Sequence, residues 1–305
     1  MAKAWKLALR GAAVAALPLS LVGASLTTAG ANGNGATWPA VAKQAKIVAE
    51  VPSAVAKSGT LTVASDATYA PMEYLAGDGT TVVGVDADLM KAVSQVLGLK
   101  LQMDNVTFDS IIPKLQSGTY DIGASSFTDT KAREKQVNFV DYFVAGEGFY
   151  VKKGHKALSG TGLSQLCGLT VSVESGTTEE ADAHTANSLC VKTHKKGVTV
   201  LSLADQATAN TKVASGQADV GFADSEVAAY IVAQSHGVFA NSGKPYGNAP
   251  YGLAISKVSS VAGLNKAVLD AVNYLIKSGT YGKILTYWGQ TSGGVKVATA
   301  NKATS

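Results

Sequence analysis

The feature that most constrains the fold is a regular alternation of short β-prone runs with amphipathic helical segments. In the first block, a strand at 61–64 precedes a helix at 86–97, a strand at 99–103, a helix at 109–116 and a strand at 121–124. Strands that alternate with helices of about ten to fifteen residues are typical of parallel sheets covered by helices. This block therefore predicts an α/β lobe.

A second block repeats the same order further along the chain. Its elements are a strand at 169–174, a helix from Thr178, a strand at 198–202, a helix at 205–215 and a strand at 218–223. One more strand and helix follow, at 251–256 and 264–277. Because a strand–helix pair is too small to bury its own core, we expect it to belong to one of the two lobes.

The N-terminus has the pattern of an export signal. Lys3, Lys6 and Arg10 precede a short apolar stretch at 12–26, and Ala29-Gly30-Ala31 matches a cleavage site. The alternatives are a buried helix or a membrane anchor, but the apolar stretch is too short to span a bilayer comfortably. We predict a signal peptide at 1–31 without a lipoprotein cysteine, export from the cytoplasm, and a linker at 32–58 that ends in a short helix.

The charge of the chain argues against two classes of partner. Lysine and arginine exceed aspartate and glutamate by 26 − 22 = +4, and three of these charges belong to the leader. A body with a net charge of about +1 is poorly suited to nucleic acid or to an anionic membrane surface.

The two cysteines, Cys167 and Cys190, stand 23 residues apart. In an exported protein the simplest expectation is a disulfide between them, and the alternative is two separate buried thiols. None of the four histidines has metal-ligand spacing to the cysteines, so we expect no metal and no cofactor.

Three loops that follow predicted strands are candidates for a binding site, because ligands in open α/β sheets lie beyond the carboxyl ends of the strands. These loops are 65–71, 125–133 and 175–180. The loop at 125–133 contains serine hydroxyls and Arg133, and the loop at 175–180 opens a helix whose free amides favour anions. Asp224 directly follows another strand. A cation and a helix N-terminus would match the negative group of a zwitterionic ligand, and a carboxylate would match its positive group. The alternative is ordinary capping by Thr178 and Asp109 and a surface ion pair of Arg133.

At these residues the chain resembles the family 3 solute-binding proteins of bacterial ABC importers, the binders of polar amino acids. The similar segments extend in order over roughly residues 59–290: Gly59-Thr60-Leu61-Thr62-Val63, Asp66 to Pro71, Val83 to Leu89, Phe108 to Leu115, Gly118 to Asp121, Ser125 to Arg133, Val173 to Thr178, Ala218 to Asp224, and Gly279 to Gly289.

The resemblance implies a two-lobed periplasmic-binding-protein fold of type II, with the ligand cleft between the lobes. Lobe 1 would comprise 59–149 and 251–290, lobe 2 would comprise 152–247, and 291–305 would be a C-terminal tail. The crossovers would lie near Tyr150-Val151 and Ala249-Pro250. Closure of this hinge around the ligand is the expected motion.

The resemblance also implies roles for single residues. Arg133 would bind the ligand α-carboxylate, and donors of Ser126, Thr128 and Thr178 would share it. Asp224 would bind the α-ammonium with help from the Ser126 carbonyl. The other expected site residues are Tyr69 and Phe108 as aromatic walls, Asp66 at the distal end, Ser125 and Thr177 in the loops, and Glu174, which, like Glu179, occupies a position that varies with the ligand. Asp141 stands where the family usually has proline.

The resemblance thus implies a monomeric receptor that captures a free amino acid and delivers it to the membrane permease of an ABC importer. Because Asp66 is expected at the distal end of the pocket, with Glu174 and Glu147 near it, arginine or lysine is expected first and glutamine second. The alternatives are a dehydratase of the cyclohexadienyl or prephenate type, with Glu174 or Glu147 as general acid, and a sensory ligand-binding module.

Overall fold

The computed structural model describes residues 40–304. The predicted signal peptide lies outside the described residues, as does the start of the predicted linker. The helices are α1 Ala45–Val48, α2 Ser53–Ser58, α3 Val85–Leu97, α4 Phe108–Gln116, α5 Lys131–Glu134, α6 Thr178–Lys192, α7 Gln206–Ser215, α8 Ser225–Gln234, α9 Leu264–Lys277 and α10 Thr280–Tyr287. Short 3₁₀ turns occupy Gly162–Leu166, Ser259–Val261 and Thr291–Gly293.

The strands are β1 Thr60–Ser65, β2 Thr68–Tyr69, β3 Glu73–Leu75, β4 Val82–Val83, β5 Lys100–Asn105, β6 Ile122–Gly123, β7 Asn138–Lys152, β8 Thr170–Glu174, β9 Thr199–Leu203, β10 Val220–Asp224, β11 Phe239–Asn241, β12 Tyr246–Ile255 and β13 Gly294–Ala300. The main sheet has the order β5-β1-β6-β12-β7-β10-β8-β9, and β11 and β13 also pair with β7. A small separate sheet joins β2, β3 and β4.

The predicted two-lobed α/β fold is confirmed. Lobe 1 contains the parallel strands β5, β1 and β6, and lobe 2 contains the parallel strands β10, β8 and β9. The long strand β7 belongs to both lobes, because its first half pairs with β12 and its second half pairs with β10. Each lobe has a buried apolar core, which contains Leu61 and Leu89 in lobe 1 and Val171 and Phe222 in lobe 2.

The first crossover between the lobes lies earlier than the sequence analysis placed it. Tyr150 already pairs with β10 and Val151 with β11, so both are inside lobe 2. Ala145 faces Ala249 of β12, and Glu147 faces both Tyr246 of β12 and Asp224 at the end of β10, so the crossover lies around 145–147.

Two terminal segments are more ordered than expected. Residues 40–58 form α1 and α2 and pack on lobe 1 instead of linking loosely, with Val55 buried in its core. Within the expected C-terminal tail, β13 pairs with β7 and buries Ala298. Both segments depend on partners that are distant in sequence. Within residues 40–304, no helix combines the length and apolar character needed to cross a bilayer.

Candidate functional site

The loops that follow β1, β6, β8 and β10 meet between the lobes and enclose a small cavity with a volume of about 10 Å³. The parallel register of β1 with β6, and of β8 with β10, brings the carboxyl ends of these strands to the cleft. The lining residues are Tyr69, Phe108, Ser126, Thr128, Arg133, Thr177, Thr178, Glu179, Gln206, Phe222, Ala223, Asp224 and Val227. Eight of these were predicted from the sequence.

Arg133 is the only basic residue among the described residues that line this cavity. Its guanidinium donates to the carbonyl of Thr128 at 2.8 Å and, across the cleft, to the carbonyl of Gly176 at 3.0 Å. It also lies 5.4 Å from the ring centres of Phe108 and Phe127, which is within cation–π range. Burial lowers the pKa of Arg133, but a guanidinium remains charged in such a site.

Two carboxyl groups of lobe 2 face this guanidinium. Asp224 ends β10 and Glu179 lies in the first turn of α6, and both line the cavity. Burial raises the pKa of Asp224 well above its usual range, and the charge of Glu179 raises it further. Burial also raises the pKa of Glu179, while Arg133 opposes that rise. The resemblance implied only that Glu179 occupies a position that varies with the ligand, and Glu179 was not among the expected site residues.

Tyr69 and Phe108 form an aromatic wall of the cavity. Their rings meet edge to face at 5.8 Å, and Phe108 stacks on Phe127 at 4.5 Å. The hydroxyl of Tyr69 is buried and interacts with Glu174. An apolar surface with one polar group behind it suits a ligand that has an aliphatic stem and a polar end.

Asp66 and Glu174 lie behind this wall and do not line the cavity itself. One Asp66 oxygen accepts from the Thr68 hydroxyl at 2.6 Å and the other accepts from the Phe108 amide at 3.1 Å. Glu174 is 1% exposed, and its carboxyl group interacts with the Tyr69 hydroxyl and with Asp66. Burial, and then the charge of Asp66, raises the pKa of Glu174 to about 10. Glu174 therefore carries a proton at neutral pH in this conformation.

The two serines after β6 are oriented differently from the expectation. The hydroxyl of Ser125 accepts from the amide of Asp66 at 2.9 Å, so Ser125 supports the loop and does not line the cavity. Ser126 does line it, but its amide donates to Asp86 and its hydroxyl donates to Glu73, each at 3.1 Å. Both protons of Ser126 are thus engaged within lobe 1 in this structure.

The two threonines at the start of α6 have different roles, one as the helix N-cap and one in the cleft. Thr177 is the N-cap, since its hydroxyl accepts from the Glu180 amide at 3.1 Å. The hydroxyl of Thr178 lies 3.3 Å from the hydroxyl of Thr128, and this contact joins the two lobes. The capping alternative, which named Thr178 and Asp109, is wrong, since the N-caps of these helices are Thr177 and Thr107. The hydroxyls of Thr178 and Thr128 face each other across the cleft.

Glu147 does not lie near Asp66, contrary to the expectation. It occupies the crossover part of β7 and lines a neighbouring cavity of about 500 Å³ together with Asp182, Tyr246 and the adjoining crossover residues. Burial and the charges of Glu179 and Asp182 raise the pKa of Glu147 to about 10.

The expected disulfide is present in lobe 2. Cys167 and Cys190 are bonded, with their Cα atoms 5.5 Å apart. Cys167 precedes β8 and Cys190 lies in the last turn of α6, so the bond ties the end of this helix to the start of the strand.

Comparisons with known proteins agree with this architecture. A family model described as bacterial extracellular solute-binding proteins, family 3, matches residues 61–291. An arginine-binding protein of Corynebacterium glutamicum is 33% identical over 294 residues, which cover 95% of each chain.

Solved structures resemble the chain as well. An ancestral arginine-binding protein bound to glutamine is 34% identical, with a TM-score of 0.68 over 76% of this chain and 98% of that one. An ancestral amino acid-binding protein described as a precursor of cyclohexadienyl dehydratase is 33% identical, with a TM-score of 0.67 over 77% of this chain and 97% of that one.

Proposed function

Because this chain belongs to the bacterial extracellular solute-binding proteins of family 3, we propose that it is the extracytoplasmic substrate-binding component of an ABC importer for amino acids. Its preferred ligand would be a cationic L-amino acid, arginine or lysine, with glutamine as the second choice. The names of its relatives support this class of ligand, since they include arginine-binding proteins. Its partners would be the free amino acid and the permease subunits of the importer.

The zwitterionic part of the ligand would bind between Arg133 and Asp224. Burying an amino acid removes two charges from water, and that loss is recovered only where both charges are matched. The guanidinium of Arg133 would take the carboxylate as a bidentate pair. Asp224 would take the ammonium, and Thr128 and Thr178 would offer their hydroxyls to the carboxylate.

The observation that carries the preference for a cation is the carboxyl group of Glu174, which is buried beside a second carboxyl group. It lies next to Asp66, behind the wall formed by Tyr69 and Phe108. A ligand guanidinium or ammonium that reached this pair would donate to the two carboxyl groups and would lower the pKa of Glu174 by its charge. An acidic side chain would face like charges and be rejected.

Ligand entry would require the lobes to separate. The cavity volume of about 10 Å³ is room for a water molecule, whereas small-molecule sites typically measure about 300–1,000 Å³. The polar contacts across the closed cleft include Arg133 to Gly176, Thr128 to Thr178, and the backbone amide of Gln206 to the Thr68 hydroxyl at 3.4 Å. Apolar residues of both lobes also pack there in one buried cluster, which includes Phe108 and Val227. The hinge would be the crossover segments 144–147 and 246–250.

This function implies a location outside the cytoplasm, in a periplasm or at the cell surface, after removal of the predicted signal peptide at 1–31. The division into lobes would follow the sheet, with lobe 1 from 59 to the first crossover and from 251 onward, and lobe 2 between the crossovers. The protein would act as a monomer.

The test is a calorimetric titration of the exported protein with each of the common L-amino acids. Arginine or lysine should bind most tightly, glutamine more weakly, and glutamate and leucine should give no heat at matched concentrations. Glu174→Gln should weaken the binding of arginine by about tenfold to a hundredfold, since one charge-assisted hydrogen bond contributes about 1.5–3 kcal/mol. It should leave glutamine binding nearly unchanged.

Asp219→Asn is a suitable control, because Asp219 lies at the opposite end of the strand that Asp224 ends and accepts from the Thr170 amide at 2.7 Å. It should not alter the order of ligands. Tightest binding of glutamate or leucine would contradict the cationic preference and would leave the zwitterion site standing.

The enzyme alternative has one observation in its favour, namely the protonated state of Glu174, which a general acid requires. The arrangement of Arg133 and Asp224 suits an α-amino acid better than a dicarboxylate. Incubation with prephenate decides between them, since formation of phenylpyruvate would establish dehydratase activity.

A further inference from the structure

Ser126 is anchored from the lobe 1 side by two acidic side chains. Its amide donates to Asp86 and its hydroxyl donates to Glu73, and Asp86 also accepts the hydroxyl of Tyr142. Glu73 and Asp86 are both 0% exposed. They belong to β3 and α3, which pack behind the cleft and do not line it.

The backbone of Ser126 needs such support. Its φ angle of 48° lies in the left-handed region, which non-glycine residues occupy only when the surrounding structure enforces it. The two hydrogen bonds from Ser126 to buried acids provide that enforcement. Without them, we expect the peptide to relax and the cleft-facing atoms of Ser126 to turn.

The two acids also act as a pair that shares one proton. Burial, and then the charge of Asp86, raises the pKa of Glu73 well above its usual range. Hydrogen bonds from Tyr142 and Ser126 stabilise the charged form of Asp86. Glu73 is therefore protonated when Asp86 is charged, and the pair bears a single negative charge.

We propose that Glu73 and Asp86 are positioning residues for ligand binding, which act through Ser126. By taking both protons of Ser126, they leave it only acceptor oxygens to present to the cleft. An acceptor at this position favours the ligand ammonium, next to Asp224, and disfavours a carboxylate there. This inference rests on the proposed amino-acid binding and assigns ligand orientation to residues outside the cleft.

The experiment compares L-arginine binding by calorimetry for Glu73→Gln, Glu73→Leu and Asp86→Asn. Glutamine reproduces the protonated glutamate, since its carbonyl accepts from Ser126 and its amide donates to Asp86, so binding should stay within about threefold. Leucine removes the acceptor, and Asp86→Asn replaces one of its acceptor oxygens by a donor. Each of these two replacements should weaken arginine binding about tenfold or more, because the strained backbone of Ser126 would then be free to relax.

A second arm tests whether the effect passes through Ser126. Ser126→Gly removes both the hydroxyl and the strain at positive φ. In that background Glu73→Leu should weaken arginine binding by less than about threefold, because the group on which it acts is gone. An equal loss in both backgrounds would overturn the proposal.

Asp88→Asn is the matched control. Asp88 lies two residues from Asp86 on the same helix and is 5% exposed, but it accepts from the Trp288 indole at 2.8 Å, away from the cleft. It should leave arginine affinity unchanged even where it lowers the melting temperature.

The possible results distinguish a failure of this inference from a failure of the proposed function. If Glu73→Leu does not fold, the contrast between Glu73→Gln and Asp86→Asn decides, and equal affinity of those two overturns the proposal. Folded Glu73→Leu that binds arginine as the unaltered protein does contradicts only this inference. Failure of the unaltered protein to bind any amino acid overturns the proposed function, and this inference with it.

Discussion

Replacement of Arg133 is the sharpest test of the proposed site. Arg133→Ala removes a guanidinium that is 9% exposed and that faces Asp224 and Glu179 across the cavity. It also removes the hydrogen bonds to Thr128 and Gly176, the latter being a contact between the lobes.

The expected magnitude follows from these contacts. Removing one partner of a buried charge arrangement costs about 3–5 kcal/mol, since the remaining charges are left unmatched. In the complex, that charge is the ligand carboxylate, so the dissociation constant for arginine should rise by roughly two to four decades. Arg133→Lys should recover only part of this loss, because an ammonium cannot form the bidentate pair and reach both carbonyls.

The assay is calorimetric titration, with the melting temperature measured for each variant to confirm folding. Lys131→Ala is the control, because Lys131 lies on the same short helix but is exposed and pairs only with Glu134 at 3.2 Å. A loss of less than tenfold for folded Arg133→Ala would refute the assignment of the ligand carboxylate to this residue.

Three further predictions concern stability. Replacing both Cys167 and Cys190 by serine should lower the free energy of unfolding by about 3 kcal/mol in urea titrations, since the bond closes a loop of 23 residues; an unchanged midpoint would contradict this. Burial and the charge of Asp141 raise the pKa of Asp129 to about 8, against 3.8 in the unfolded chain. Between about pH 4 and pH 8 the folded state therefore binds more protons than the unfolded state, so the free energy of unfolding falls as the pH rises. The stabilising contribution of this proton is complete below about pH 4 and is lost by about pH 8. Asp141→Asn should flatten that decline in melting temperature, and an unaltered slope would argue against the pair. Gly221→Ala would place a Cβ 2.0 Å from an atom of the tyrosine ring on the neighbouring strand, so it should destabilise the fold by about 3 kcal/mol or more in thermal unfolding; a near-native melting temperature would show that this ring moves aside.

Local patterns in the sequence were sufficient for most elements of the fold. The predicted helix at 264–277 and the predicted start of α6 agree with the structure, because apolar spacing and turn residues act within a few residues. The small sheet and the strand β13 were not predicted. The strands of the small sheet have two or three residues each, which is too short to show a period, and β13 is held by β7, which is distant in sequence.

The candidate site divides in the same way. Residue type and position after a strand were enough to select Arg133 and Asp224, because only a few loops reach the carboxyl ends of the strands. The direction of a hydrogen bond could not be predicted in this way. The two protons of Ser126 point to acidic residues that lie 40 and 53 residues earlier in the chain.

The sequence by itself therefore determined the family, the alternation of strands and helices, the disulfide partners and the chemical types in the cleft. Tertiary structure alone decided that Tyr150 already pairs within lobe 2, that Glu147 faces Asp182 instead of Asp66, and that Glu179 lines the cavity. The physical reason is range: propensity and capping act between near neighbours, whereas burial, charge coupling and donor direction depend on which distant segments pack together.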